Sequence, residues 1–209
     1  MIIGFVGFIG SGKDTAAEYL VEKYKFRRDS FAAPLKDAVA DIFGWDRQLL
    51  EGHTNESRAW RECADPWWSE RLGREVTPRH TLQIWGTEVG RNAYHTDIWV
   101  ASLENRLRKT TDDIVITDCR FPNEIDVIKK AGGIIVRISR GKDPAWVQDA
   151  LDYLSFPAGK PPSHIPHQSE WAWLDRHYDV LVANSGPMEW LHDRLDGMMA
   201  TLALTDAAV

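Results

Sequence analysis

Ile2-Ile3-Gly4-Phe5-Val6-Gly7-Phe8-Ile9-Gly10-Ser11-Gly12-Lys13-Asp14-Thr15 decides the fold of this 209-residue chain. The first five residues read as a short buried strand, and a glycine-rich turn follows at once. From Lys13 to Lys25 the apolar positions Ala17, Leu20, Val21 and Tyr24 recur at helical spacing. Strand, loop and helix in this order are what a phosphate-binding loop requires, and Gly7-x4-Gly12-Lys13 has the Walker A spacing. Its glycines let backbone N–H groups converge on phosphate oxygens, and the helix adds its positive N-terminal end. Gly10, Ser11, Gly12 and Lys13 are therefore expected to hold the phosphates of ATP, with Lys13 reaching the β- and γ-phosphates as a point charge. Where Ser or Thr commonly follows the lysine, this chain has Asp14, with Thr15 next. Asp14 reads either as a Mg²⁺ ligand or as a favourable carboxylate in a first helical turn.

Outward from the loop, strand-like and helical stretches alternate. Ser30 to Ala33 is expected to end a second strand, and Pro34 opens a helix that stops near Gly44. Thr81–Arg91 and Asp97–Lys109 read as helices. Ile114-Val115-Ile116-Thr117 is a β-branched run typical of a buried parallel strand. A helix from Asn123 to Ala131, a strand Ile134–Ile138, a strand Val180–Val182 and a closing helix from about Met188 complete the pattern. The alternation predicts an α/β domain with a parallel sheet covered on both faces. Two insertions interrupt it. One, about residues 34–110, contains a Trp-, Arg- and Glu-rich lobe between 45 and 80; the other, about 139–170, is marked as loop by Pro157, Pro161, Pro162 and Pro166.

Bulk properties narrow the function. A net charge of −6 with no long Lys/Arg run argues against binding a nucleic-acid polymer. The first apolar run is too short to span a bilayer and lacks a basic leader, so a cytoplasmic protein with no membrane partner is expected. Cys63 and Cys119 do not form a disulfide framework. The Asn-Lys-x-Asp base-reading motif of GTPase switches is absent, which leaves a small kinase.

Five blocks in order carry a resemblance. They are Gly7 to Thr15, Phe31-Ala32-Ala33-Pro34-Leu35-Lys36, Leu82-Gln83-x-x-Gly86-Thr87-Glu88-x-Gly90-Arg91, Asp118-Cys119-Arg120-Phe121-Pro122-Asn123-Glu124, and His167-Gln168-Ser169-Glu170. Together they resemble the bacteriophage deoxynucleoside monophosphate kinases. The resemblance implies a P-loop NTPase fold with a five-stranded parallel sheet, a monophosphate-binding insertion and a lid. It also implies transfer of the ATP γ-phosphoryl group to a dNMP, in the host cytoplasm if the chain is phage-encoded. Other acceptors, such as dephospho-coenzyme A, and a non-catalytic ATP-binding regulator are the rival readings. Partners are then ATP, Mg²⁺ and a small dNMP, with a homodimer as the one further assembly considered.

Individual residues follow. Asp118 ends a strand at the carboxyl edge of the sheet and reads as a metal-holding carboxylate or as a cap. Arg120, two residues on, reads as a clamp for the acceptor phosphate or an ordinary surface ion pair. Lys36 and Arg91 lie in blocks that line the monophosphate site of the resembling kinases. On the same stretch Gln83 can read a base edge, Thr87 stands near it, and Trp85 reads either as a stacking platform or as core. Arg140, with Lys142, suits a lid that neutralises the transferring group, whereas Arg137 reads as a strand-edge charge. Asn184 begins an Asn-Ser-Gly turn like the one against which these kinases pack adenine. No role for His167, Ser169 or Glu170 follows from their residue types.

Overall fold

The computed structural model describes residues 1–206. Five strands, β1 (Ile2–Val6), β2 (Arg27–Asp29), β3 (Ile114–Ile116), β4 (Ile134–Ser139) and β5 (Val180–Ala183), form one parallel sheet in the order β2-β3-β1-β4-β5. β1 and β3 are apolar because both lie inside the sheet with neighbours on each side. Ile3, Phe5, Val115, Val136 and Ile138 join Ala17, Leu20, Leu191 and Leu195 of helices α1 (Lys13–Tyr24) and α9 (Met188–Asp206) in the main core. The phosphate-loop fold expected from residues 2–15 is present, with five parallel strands.

β2 lies earlier than Ser30–Ala33. It is the polar stretch Arg27-Arg28-Asp29, an edge strand paired with β3 alone, and its burial rises from exposed to buried along three residues. No apolar run marks it, which is why sequence pattern displaced it. Ala33 already opens helix α2 (Ala33–Phe43), with Pro34 inside its first turn.

The chain divides into two compact units, residues 1–30 with 107–209, and residues 31–106. In the 31–106 unit, α2 is followed by α3 (Asn55–Glu62), α4 (Pro66–Leu72), α5 (Pro78–Gln83), a π-helical segment (Ile84–Tyr94) and α6 (Ile98–Leu107), whose last residue belongs to the other unit. The tryptophan-rich stretch is the core of this unit. Trp45 is buried with Leu35, Val39, Leu50 and Val76, and Trp60, Trp68, Trp85 and Trp99 pack against them. The indole N–H groups find partners as burial demands: Trp45 donates to Asp65 Oδ2 at 2.8 Å, Trp68 to the Phe43 carbonyl at 2.9 Å.

The other unit continues through α7 (Pro122–Lys130) and α8 (Val147–Ser155). Helix α8 falls inside the stretch that the prolines mark as loop. Ala150 is fully buried with Ile165 and Trp171, and Trp146, Tyr153 and Leu154 pack beside them, a small core at helical spacing. Among the described residues no helix is long and apolar enough to cross a membrane.

Candidate active site

The phosphate loop follows from its glycines. Gly7 has φ 146°, and a Cβ there would lie 2.4 Å from the Ile138 carbonyl oxygen of neighbouring β4. Gly12 has φ 100°, and its missing Cβ leaves room for Asn184, which donates through Nδ2 to the Ser11 carbonyl at 2.9 Å. A side chain at either position would push the loop away from the strands that carry it. Lys13 folds back over the loop, donating to the carbonyls of Gly7 at 2.7 Å and Phe8 at 2.9 Å. Ser11 is 3% exposed and its hydroxyl has no hydrogen-bond partner among the described residues. An orphaned buried hydroxyl beside a lysine resting on backbone carbonyls fits an oxyanion ligand.

Phe8, early in the loop, is held from the side. Its ring meets Trp146 edge-on at 5.4 Å and Trp173 at 5.3 Å, and the Arg137 guanidinium lies 5.8 Å from its centroid. Arg137 also lies over Trp173 and Tyr178 and forms a two-oxygen contact with Asp143 at 2.6 and 2.7 Å. The expectation of a simple edge charge missed this: Arg137 pairs in register with Val6, the last residue before the loop.

Lys13 is electrostatically unusual. Burial of the ammonium, then the nearby Arg120 guanidinium, lower its pKa from 10.5 to about 8, while the carboxylates of Asp14 and Glu170 act in the opposite direction. The ammonium is therefore half deprotonated near pH 8 and fully charged only well below it. An ATP anion needs that form, so ATP affinity should be constant below the inflection. It should fall as pH rises through it, by up to about tenfold per unit until the pKa of the bound lysine is passed. ATP titrations from about pH 7 to about pH 9.5 check this; a flat profile would show that Lys13 does not titrate there.

Arg120 and Glu170 meet: Arg120 Nη1 lies 3.2 Å from Glu170 Oε1. The His167–Glu170 block thus gains a role, since its short 3-10 turn (Gln168–Glu170), capped by His167 Nδ1 accepting from the Ser169 N–H, presents Glu170 to Arg120. Glu124, 2% exposed, accepts from the backbone N–H groups of Arg120 at 2.8 Å and Phe121 at 3.1 Å and so fixes the turn that carries Arg120. Asp118 is half-buried, two residues beyond the end of β3 at the carboxyl edge of the sheet. Cys119 is buried, and desolvation followed by the Asp118 charge pushes its thiol pKa well up, so it is packing and not a nucleophile. Thr15 is half-buried in the first turn of α1. Asp14 is paired with Arg28, a residue for which the sequence offered no local cue.

Arg140 and Lys142 are exposed just past β4. The Gly141 N–H between them donates to Ser185 Oγ at 2.9 Å, and the Asn184 N–H donates to the Ser139 carbonyl at 2.6 Å. Through Asn184 and Ser185, one turn thus ties the phosphate loop to the segment bearing Arg140.

In the 31–106 unit, Gln83 ends α5, and Thr87 and Arg91 follow at four-residue intervals on the π-helical segment, so the three share one side; Gln83 and Thr87 are exposed and Arg91 half-buried. Wide helical turns of this kind recur at functional sites. Gly86 and Gly90 are buried: an added Cβ would come 2.9 Å from Leu35 Cδ2 and 2.6 Å from Trp99 Cζ2. Trp85 is half-buried against the core, its ring T-shaped to Phe43 at 6.4 Å. Lys36 is held by Glu51, which also pairs with Arg47. Burial works against the Glu51 charge, but Lys36 and Arg47 outweigh it and bring the pKa from 4.5 to about 2. A depressed carboxylate contributes stability that is present above its unfolded pKa and lost as pH falls through the folded one. Glu51→Gln should therefore cost about 1–3 kcal/mol near neutrality. In urea melts the gap to wild type should close as pH is lowered from about 5 towards about 2.

No protein-family model matches the chain. A protein of Acanthamoeba polyphaga mimivirus named as a deoxynucleotide monophosphate kinase is 33% identical over 209 aligned positions, which take in 93% of this chain and 94% of the viral protein. The deoxynucleoside-5'-monophosphate kinase of Escherichia phage T5 is 28% identical over 180 positions, 62% of this chain and 72% of that protein. Among solved structures, a shikimate kinase from Aquifex aeolicus vf5 aligns over 98% of this chain and 99% of its own at 14% identity and a TM-score of 0.46, a likeness too distant to bear on substrate. With a built phosphate loop, an arginine held beside its lysine, and one-third identity across nearly the whole of both chains, the protein belongs to the viral deoxynucleoside monophosphate kinase family.

Proposed function

We propose that the protein transfers the γ-phosphoryl group of ATP to the phosphate of a deoxynucleoside monophosphate, giving ADP and a dNDP. The observation that carries this reading is the phosphate loop itself, where a buried, unpartnered Ser11 hydroxyl and the inward-folded Lys13 present donors to an oxyanion.

Phosphoryl transfer asks the protein for positioning and for neutralisation of charge on the transferring group, with no covalent intermediate. Lys13 leaves the Gly7 and Phe8 carbonyls and takes the β/γ-phosphate oxygens, while the backbone N–H groups of Gly10 to Lys13 hold the rest of the chain of phosphates. Arg120, oriented by Glu170, meets the acceptor phosphate and the moving phosphoryl group. Arg140, on the exposed segment pinned to Ser185, approaches the nucleotide as the 139–170 insertion closes and water is excluded. The turn at Asn184 borders the adenine. Gln83, Thr87 and Arg91, on the exposed side of their helix, recognise the monophosphate.

The donor set fits a cation shared with the nucleotide. Among the described residues no three His, Cys, Asp or Glu side chains gather into a metal site of their own, and Mg²⁺ is commonly held by one or two carboxylates with phosphate oxygens. Asp14, Thr15 and Asp118 are the residues that would hold it. When bound, Mg²⁺ draws charge from the β- and γ-oxygens.

A coupled ADP-release assay across the four dNMPs, the matching ribonucleotides and dephospho-coenzyme A tests the proposal. Turnover with at least one dNMP is expected, together with low ATP hydrolysis in its absence. Turnover with dephospho-coenzyme A alone would replace the acceptor class, and ATP binding without turnover on any acceptor would leave a regulator.

A further inference from the structure

Asp14 stands directly after Lys13, in the first turn of the helix that points at the phosphates. Its carboxylate follows the phosphate-loop lysine at once, so its negative charge stands close to where the β- and γ-phosphates must lie. A carboxylate in that place repels a triphosphate. The fold answers this charge from β2. Arg28 Nη2 donates to Asp14 Oδ1, and the same nitrogen lies 3.0 Å from Thr117 Oγ1. The Arg28 side chain is 25% exposed and that of Asp14 49%, so the guanidinium is anchored on the protein side of the pair. The anchoring is built by the sheet: Arg28 is in register with Val115 of β3, and the buried Thr117 two residues further on receives the guanidinium.

We propose that Arg28 is a resident counter-cation for Asp14, a positioning residue that cancels the carboxylate's repulsion and lets the loop accept an ATP anion before any metal is present. The proposal deepens the ATP-binding reading of this loop and rests on it. It also explains why a polar edge strand is tolerated next to the phosphate site. The pair adds one positive and one negative charge together, so Asp14 brings no net charge of its own to the loop.

Direct ATP binding in the presence of a chelator, measured by calorimetry on wild type, Arg28→Met, Asp14→Asn and the double variant, tests it. Arg28→Met should weaken metal-free ATP binding about tenfold, because one unscreened carboxylate then faces the triphosphate at short range. Asp14→Asn should tighten it several-fold, since Arg28 is left without its carboxylate. The double variant should return to within about threefold of wild type, which is the non-additivity expected of two charges acting as one unit. A purely structural strand-to-helix tie predicts a different pattern, with lower thermal stability in all three variants and ATP affinity unchanged in the folded fraction. Unaltered metal-free affinity in Arg28→Met, or a double variant no better than Arg28→Met, overturns the proposal. If Arg28→Met does not fold, Asp14→Asn decides alone, and wild-type affinity there overturns it equally. Absence of ATP binding by wild type, with or without Mg²⁺, would remove the kinase reading of the loop and this inference with it. Binding by wild type with no response to either substitution removes the inference only.

Discussion

Lys13→Ala should reduce kcat by about 10²–10³-fold or more while the protein remains folded, the range seen when one preorganised donor to developing charge is removed. Among the described residues the Lys13 ammonium donates to backbone carbonyls of its own loop, so no side-chain hydrogen bond is lost with it. Alanine at the first position of α1 is also a good helix former. Circular dichroism and a thermal melt should therefore track wild type closely while turnover collapses. A variant with wild-type kcat would separate the phosphate loop from the chemistry.

Arg120→Ala should lower kcat/KM for the dNMP by a factor corresponding to about 2–5 kcal/mol if the guanidinium is desolvated against the acceptor in the working complex. ATP affinity near neutral pH should change far less. The structure adds a second, independent signature. Because Arg120 depresses the Lys13 pKa, its removal should move the inflection in ATP affinity to higher pH. Loss of acceptor kinetics with an unmoved inflection would mean that Arg120 does not act on the lysine, and an equal loss in ATP affinity at every pH would place it on the nucleotide side of the reaction.

How much of this was legible in the chain can be traced to particular residues. The phosphate loop was readable because its chemistry is local: Gly7, Gly12 and Lys13 must stand at fixed offsets between an apolar strand and a helix. The interior strands were readable for the same reason, as their burial on both faces writes itself as Ile-Val-Ile. β2 was misplaced because an edge strand of three polar residues writes nothing. Helix α8 was hidden by the prolines downstream of it, although Trp146, Ala150, Tyr153 and Leu154 carried the helical spacing. The partners that tune the site were out of reach. Arg28 meets Asp14 across 14 residues, Glu170 meets Arg120 across 50, and Asn184 reaches Ser11 across 173. Such pairings are set by strand order, which local pattern does not encode. The tryptophan-rich stretch showed its composition but not its purpose, since a core assembled from α2 to α6 has no single period to detect.

That core has an evolutionary implication. Gln83, Thr87 and Arg91 lie along one flank of a helix whose other flank is locked by Gly86, Gly90, Trp85 and Trp99. Gln83 and Thr87 are exposed, so exchanging either for another polar residue leaves the buried flank of glycines and tryptophans in place. Under the proposed function, selection can therefore vary acceptor recognition at these two positions one residue at a time, without each trial having to pass first through a loss of folding.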